Sequence, residues 1–256
     1  MAEVPYEIIC GDVLEELKKI PSESIDVIFT SPPYNLKNSS GNGMRGPNKG
    51  KWGNNALSLG GYEKHTDSMP RGEYVAWLRE IIAECFRILK PTGALFFNHK
   101  NRVQHGLIQN HDAILEGFNV RQVIIWQRDG GINFNKGYFL PTYEVIYLMP
   151  KTAKGKDSFK LKKGANAHGD VWKISQERNN PHPAPFPVEL AERVISSCEG
   201  SIVLDPFAGS GTTLVAATNL GWKSIGIDSS PSYCAFSLER LQNLDKPPQG
   251  VDELRE

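Results

Sequence analysis

The sequence lacks an excess of charge of either sign. Its 256 residues include 29 Lys and Arg and 29 Asp and Glu, so the formal net charge is zero. A balanced chain has no global attraction to a polyanion, and any binding of nucleic acid has to come from local patches. The charge balance is therefore mild evidence against a DNA partner.

Cysteines and long apolar runs are also scarce. The four cysteines, at positions 10, 85, 198 and 234, form no CxxC pair and no metal-ligand spacing. They are interpreted as reduced core residues of a cytoplasmic protein without a metal site. No apolar run approaches the roughly 20 residues of a membrane span, and the first residues lack the basic and apolar regions of a signal peptide. We expect no membrane partner.

Apolar runs alternate with amphipathic stretches, which predicts an α/β fold. Strands are predicted at 7–10, 26–30, 94–98, 120–126, 143–149, 201–204 and 223–227, the fourth and fifth as an antiparallel pair. Helices are predicted at 13–20, 71–90, 102–116, 187–199, 212–220 and 231–244. We expect a single domain over 1–245, a loop insertion at 37–70 and a flexible tail at 246–256.

The first distinctive stretch reads Thr-Ser-Pro-Pro-Tyr-Asn at residues 30–35, directly after an apolar run. Two prolines end strand pairing there, because proline lacks the N–H that a ladder needs, and backbone carbonyls are left free to accept. The Ser31 oxygen and the Pro32 carbonyl offer two acceptors for one exocyclic amino group, and Tyr34 offers a flat face for a base. On these six residues alone, a strand-ending turn with a core tyrosine is an equally good interpretation.

The second stretch, Asp-Pro-Phe-Ala-Gly-Ser-Gly-Thr-Thr at residues 205–213, joins a predicted strand to a predicted helix. Its glycines would let a ligand approach the backbone closely, and Asp228 at the tip of the next strand could accept from ribose hydroxyls. The third glycine of a dinucleotide-binding loop is absent, and Asp205 would repel a phosphate but suit a cationic amine. These features fit S-adenosylmethionine, which has an ammonium, a sulfonium and a ribose but no phosphate. A purely structural tight turn is the alternative.

Together the two stretches resemble the catalytic and cofactor motifs of S-adenosylmethionine-dependent DNA amino-methyltransferases. Their order, with the catalytic motif first, is similar to that of the circularly permuted beta group, and the resemblance extends from Gly11 to about Tyr233. It implies a Rossmann-like, seven-stranded mixed sheet of the class I methyltransferase type, in which the strands at 120–126 and 143–149 form the antiparallel edge pair. It also implies methyl transfer to the amino group of a flipped base.

The resemblance implies a role for several individual residues. Ser31 and the carbonyl of Pro32 would hold the target amino group, Pro33 would complete the motif, and Tyr34 would stack on the base. Implied cofactor-binding residues are Asp12 at the adenine, His182 and Phe186 in an additional motif, Asp205 near the ammonium, Phe207, Gly209, Ser210, Gly211 and Thr212 around the methionine part, and Asp228 at the ribose.

Expected substrate-binding residues are Asn35 and, in a short target-recognition segment at 151–180, Lys160, Lys162 and Lys163, for which a solvated lysine face is the alternative. The 37–70 loop, with Lys37, Arg45, Lys49, Lys51 and Lys64, could also close on DNA.

The acceptor base is expected to be cytosine, modified at N4, in preference to adenine at N6. Ser31 resembles the first residue of the Ser-Pro-Pro-Tyr form associated with N4-cytosine enzymes, whereas N6-adenine enzymes more often carry Asp there. No Pro-Cys motif is present, in agreement with amino rather than ring-carbon methylation, which needs a cysteine nucleophile.

The rival interpretations are an RNA or protein-glutamine methyltransferase, whose motifs run in the opposite order, and a non-catalytic DNA-binding protein on the same fold. The expected partners are double-stranded DNA, a second copy of the chain in a homodimer, and a cognate restriction endonuclease.

Overall fold

The computed structural model describes residues 5–35, 69–104, 106–130, 136–177 and 185–244. Most of the 37–70 loop, His182 and the 246–256 tail lie outside these residues. The strands are β1 Tyr6–Cys10, β2 Ile25–Thr30, β3 Leu89–His99, β4 Arg102–Gln104, β5 Leu107–Gln109, β6 Gln122–Gln127, β7 Tyr143–Pro150, β8 Val171–Lys173, β9 Ile202–Asp205 and β10 Lys223–Asp228. The helices are α1 Val13–Lys19, α2 Arg71–Ile88, α3 Asp112–Leu115, α4 Val188–Ser196, α5 Thr212–Asn219 and α6 Pro231–Leu244, with one 3-10 turn at Ala165–His168.

The main sheet confirms the predicted mixed α/β fold, with the strand order β1-β10-β9-β2-β3-β7-β6-β8. The predicted antiparallel pairing of β6 with β7 is confirmed, and β7 also runs antiparallel to β3. The predicted number of seven strands is wrong: the described residues form eight, because β8 adds to β6 in parallel, with Ile125 opposite Val171. The β6–β7 pair is consequently not the edge of the sheet.

This topology brings the carboxyl ends of the parallel strands to one side of the sheet, across all of the strands rather than along an outermost strand. Strand β2 lies between β9 and β3, so its last residue, Thr30, comes next to Asp205 at the end of β9. The Thr30 hydroxyl donates to Asp205 Oδ1 over 2.7 Å. Ligands of open α/β sheets bind at such carboxyl ends, and we call this side of the molecule the catalytic edge.

Both faces of the sheet are covered, which explains the uninterrupted apolar run of β2. All six β2 residues are buried, as expected for a central parallel strand. Helices α1 and α2 cover one face, where Ile28 and Leu95 point. Helix α4 and residues of α5 cover the other, where Phe29 and Phe96 point.

The predicted helix at 102–116 is wrong. Residues 102–109 form the small antiparallel hairpin of β4 and β5, and only the one-turn helix α3 follows. Gly106 has a φ of +78°, a left-handed conformation that glycine adopts readily and that interrupts a helix. The weak helical pattern of residues 102–109 buries too few apolar side chains to stabilise a helix against this turn.

Three of the four cysteines are buried as predicted, but Cys10 at the end of β1 is exposed, which corrects its assignment to the core. In the described part of the chain no group of His, Cys, Asp or Glu is arranged to hold a metal ion. Among the same residues, no helix is both long and apolar enough to cross a bilayer.

Candidate active site

The predicted catalytic motif begins directly after β2, at the catalytic edge, where Ser31 is half-buried. The Tyr34 side chain is 8% exposed, and its ring packs against His99 with 4.8 Å between centroids. The Tyr34 hydroxyl lies 2.5 Å from Ser31 Oγ and donates to Glu144 Oε2 over 2.9 Å. The motif residues are therefore tied to β3 and β7, the next two strands of the sheet.

A buried polar cluster continues from Tyr34. Asn98 Nδ2, from β3, lies 2.9 Å from the Tyr34 hydroxyl oxygen, 3.0 Å from Glu144 Oε2 and 3.3 Å from Ser31 Oγ. Arg128 Nη1 lies 3.3 Å from Glu144 Oε1, and both side chains are about nine-tenths buried. A buried carboxylate needs such a partner, because its charge has been removed from water.

The two proline carbonyls of the motif have different surroundings. Tyr74, from α2, donates its hydroxyl to the Pro33 carbonyl over 2.7 Å and lies 2.7 Å from His99 Nε2. Because the one hydroxyl proton is used at Pro33, His99 has to donate from Nε2, and its Nδ1 accepts from the Lys100 N–H. In the described part of the chain no donor reaches the Pro32 carbonyl. The Pro32 carbonyl is thus the acceptor that a ligand can use.

The second motif forms a tight loop between β9 and α5. Gly209 and Gly211 have φ values of +50° and +75°, which favour glycine. A Cβ on Gly211 would come within 3.0 Å of the Ser237 side chain, whose hydroxyl donates to the Gly209 carbonyl over 2.8 Å. Arg240, also on α6, donates to the Ser210 carbonyl over 3.2 Å and to Thr212 Oγ1 over 3.1 Å. Helix α6 therefore holds the loop in shape.

Asp205 is a buried carboxylate beneath this loop, 1% exposed. Its Oδ1 accepts from Thr30 and from the Phe207 N–H, and its Oδ2 accepts from Thr213 over 2.6 Å. Burial raises its pKa from 3.8 to about 6, although these three hydrogen bonds act in the opposite direction, and the nearby Asp228 adds to the rise. A positive charge bound nearby would stabilise the ionised form.

Asp228 stands at the end of β10, as predicted. Its carboxylate accepts from the Gly209 N–H over 2.9 Å and from the Ser230 N–H over 2.8 Å. Burial raises the pKa of this carboxyl as well, against the effect of the two backbone donors. Two acids thus lie under the loop.

The donor set of this loop fits the cofactor that the sequence implies. Two carboxylates close to the loop favour a cation and disfavour a phosphate. Phe207 is half-buried and packs edge-on against Trp77 of α2, with 5.6 Å between ring centroids, so an apolar wall adjoins the acids. A ligand with both cationic and apolar parts suits these surroundings.

Other predicted residues have different positions. Asp12 is exposed and caps α1, accepting from the Leu14 and Glu15 N–H groups, although it follows the end of β1 at the catalytic edge. Phe186 is buried against Phe29 with 4.7 Å between ring centroids. Asn35 is buried and donates to the Met69 carbonyl over 2.7 Å.

The structure does not bring the lysine cluster (Lys160, Lys162 and Lys163) to the catalytic motif. Strand β7 runs away from the catalytic edge, and the Lys162 N–H donates to the Ser197 carbonyl, just before β9 begins. The three lysines are exposed. They therefore lie near the opposite edge of the sheet.

Four residues around the motif were missed by sequence reasoning: Tyr74, Asn98, His99 and Glu144. A signal for two of them exists, because Glu144 is the one charged residue in the apolar run of β7, and Asn98 ends the apolar run of β3. A polar residue within such a run needs a buried partner. Tyr74 looks in sequence like any core residue of an amphipathic helix.

Comparisons with known proteins identify the family of the chain. A family model described as DNA methylase, N6_N4_Mtase, matches residues 25–239. The chain is 31% identical over 265 residues to the DNA adenine methyltransferase YhdJ of Escherichia coli (strain K12), covering 91% of this chain and 82% of that protein. It is also 31% identical over 268 residues to the type II methyltransferase M.HpaI of Haemophilus parainfluenzae, covering 96% and 77%.

Two solved structures share the fold. The PvuII DNA methyltransferase (cytosine-N4-specific) has a TM-score of 0.70 at 21% identity, covering 94% of this chain and 93% of that one, which is evidence on the fold alone. TTHA0409 from Thermus thermophilus, solved in complex with S-adenosyl-L-methionine, has a TM-score of 0.63 at 27% identity, covering 93% and 95%.

Proposed function

The chain belongs to the N6/N4 family of DNA methylases and is an S-adenosylmethionine-dependent DNA amino-methyltransferase, and we propose that it methylates N4 of a flipped cytosine. Ser31 and the Pro32 carbonyl accept the two amino hydrogens, and Tyr34 contacts the base. Flipping exposes an amino group that the duplex otherwise encloses, at a cost of a few kcal/mol.

The hydrogen-bond direction at Ser31 supports the part of this proposal that concerns the amino group. Tyr34 has one hydroxyl proton, and it donates this proton in the hydrogen bond to the Glu144 carboxylate. The 2.5 Å contact between Ser31 and Tyr34 then requires Ser31 to donate. With its proton committed, the Ser31 oxygen can only accept from a ligand, as an amino group requires. Two acceptors on the amino hydrogens favour a pyramidal nitrogen, whose lone pair is then available for in-line attack.

The cofactor supplies the methyl group from its sulfonium when it is bound. The negative charge of Asp205, beneath the loop, attracts the ammonium group of the cofactor. Asp228 accepts hydrogen bonds from the ribose. Phe207, Gly209, Ser210, Gly211 and Thr212 surround its methionine part. Asp12, Phe186 and His182 remain proposed cofactor residues, the last of them outside the described part of the chain.

Cytosine is favoured because Ser31 is a neutral acceptor at the first position of the motif. Adenine N6 is the second candidate, and the identity to the E. coli adenine methyltransferase favours it. Both amino groups offer two N–H donors, so the acceptor geometry suits either.

The test uses unmethylated genomic DNA and cofactor labelled in the methyl group, followed by mass spectrometry of the nucleosides. We expect N4-methylcytosine, and N6-methyladenine as the sole product would overturn the cytosine assignment. Ser31→Ala should abolish the product, whereas Ser196→Ala, an exposed serine on α4, should leave it unchanged. If the wild-type chain transfers no label, the proposed function fails.

The partners are part of the same proposal. Double-stranded DNA would lie along the catalytic edge, where Lys136 and Lys173 are exposed. The homodimer, the cognate restriction endonuclease and the cytoplasmic location stay predictions, as do the single-domain boundaries and the circular permutation. Sedimentation of the free chain and of its DNA complex would determine the stoichiometry.

A further inference from the structure

We propose that Glu144 is the final proton acceptor of a relay that starts at Ser31 and passes through Tyr34. This inference rests on the proposed function, because Ser31 has to hold the target amino group. Glu144 lies outside both sequence motifs, at the second position of β7. It acts on the reaction through Tyr34 and Ser31 rather than by contact with the base.

All hydrogen bonds of the relay point the same way. Ser31 donates to Tyr34, and Tyr34 donates to Glu144, over 2.5 and 2.9 Å. A proton that arrives at Ser31 Oγ can therefore displace the Ser31 proton to Tyr34 and the Tyr34 proton to Glu144. The chain ends on a carboxylate, the one member that binds an additional proton readily.

The reaction produces a proton that has to leave. As the bond between the amino nitrogen and the methyl carbon forms, the sulfonium carbon–sulfur bond breaks, and the nitrogen becomes cationic. It loses one proton to Ser31 Oγ, Ser31 passes its own to Tyr34, and Tyr34 passes its own to Glu144, which becomes neutral. Tyr34 and Glu144 are only 8% and 7% exposed, so water has little access to either relay member.

The neighbours of Glu144 support this role. Asn98 cannot take up the proton, because an amide is not basic, but its Nδ2 lies within 3.0 Å of both Tyr34 and Glu144. Its Oδ1 is buried without a hydrogen-bond partner among the described residues, while its nitrogen faces the carboxylate and donates to it. Arg128 beside Glu144 compensates the negative charge before the proton arrives.

The test compares Glu144→Gln, Glu144→Asp and Tyr34→Phe in single-turnover methylation with labelled cofactor. The Gln side chain keeps the size and can accept from Tyr34 but cannot take the proton. We expect its rate to fall by about 10²-fold, as for loss of general base catalysis, with Kd for DNA and for cofactor changed less than twofold. Tyr34→Phe should fall similarly, and Glu144→Asp should recover part of the rate.

The double variant Tyr34→Phe with Glu144→Gln gives the sharper result. Two members of one relay should give no further loss when combined, and their effects on the urea midpoint of the cofactor-free protein should also be non-additive. The control is Glu84→Gln, which breaks a part-buried ion pair with Arg87 on α2 and should leave the rate unchanged.

Each outcome is decisive. Wild-type protein without methyl transfer overturns the proposed function, and the relay with it. An active wild type with an equally fast Glu144→Gln variant overturns the relay alone. Rate losses that multiply in the double variant also overturn it, because they would assign Tyr34 and Glu144 to separate roles. If Glu144→Gln is already unfolded in the absence of urea, the comparison of Tyr34→Phe and Glu144→Asp with wild type tests the relay.

Discussion

The buried charge of Asp205 should lower the stability of the protein at neutral pH, and Asp205→Asn should remove that cost. Burial raises the pKa of this carboxyl from 3.8 to about 6. Between these values the folded state holds a proton that the unfolded chain has released, so stability falls as pH rises. At 1.36 kcal/mol per pKa unit, the full cost above pH 6 is about 3 kcal/mol.

An asparagine can keep the local hydrogen bonds. Its oxygen can accept from Thr30 and from the Phe207 N–H, as Asp205 Oδ1 does. Its amide nitrogen can donate to the Thr213 hydroxyl, which now donates to Oδ2 and can equally accept. The substitution therefore removes the charge while it leaves the packing nearly unchanged.

The assay is urea unfolding of both proteins from pH 4 to pH 7. The variant should gain stability relative to wild type as pH rises, by about 3 kcal/mol at pH 7. An equal difference at pH 4 and pH 7 would refute the reasoning, because it would show that charge is not the cause. Asp157→Asn, at an exposed carboxylate, is the control and should change neither stability nor its slope with pH.

Two further predictions concern the ligands. Asp228→Ala should weaken cofactor binding in calorimetry by about 1.5–3 kcal/mol, the value of a hydrogen bond to a charged group; unchanged affinity in a folded variant would show that the cofactor site is wrongly placed. Neutralising the lysine cluster should leave the salt dependence of DNA binding unchanged, whereas neutralising Lys136 and Lys173 should lower its slope by about 0.9 each. The opposite pattern would show that DNA binds away from the catalytic edge.

Sequence could predict the elements whose patterns are local. Both motifs and the buried run of β2 follow from periodicity and from proline and glycine chemistry. The antiparallel β6–β7 pair follows from a linker that is too short for a helical crossover. Strand β8 has three residues, too few to show an alternation, and the turn at Gly106 makes a hairpin where a helix was expected. Such short elements are fixed by the strands that they join rather than by their own residues.

The surroundings of the motif were hidden because they depend on topology. Asn98 and Glu144 are 46 positions apart in the chain and meet only because β3 and β7 pair. The placement of the lysine cluster, in contrast, can be predicted from the sequence once β7 is taken as antiparallel. An antiparallel β7 starts at the catalytic edge and has to end at the other one, so the residues that follow it emerge far from Ser31.

The two motifs meet in one hydrogen bond, which links the donor and acceptor halves of the site. Thr30 directly precedes Ser31, and its hydroxyl binds the same carboxylate that lies under the cofactor loop. Asp205 also accepts from Phe207 at the start of that loop and from Thr213 on α5. One buried acid therefore fixes the end of β2 and the loop relative to each other. Methyl transfer needs this fixed distance, because in-line attack loses rate steeply with small displacements of the reacting groups. The stability that the charge removes and the alignment that its hydrogen bonds impose are thus two consequences of the same buried side chain.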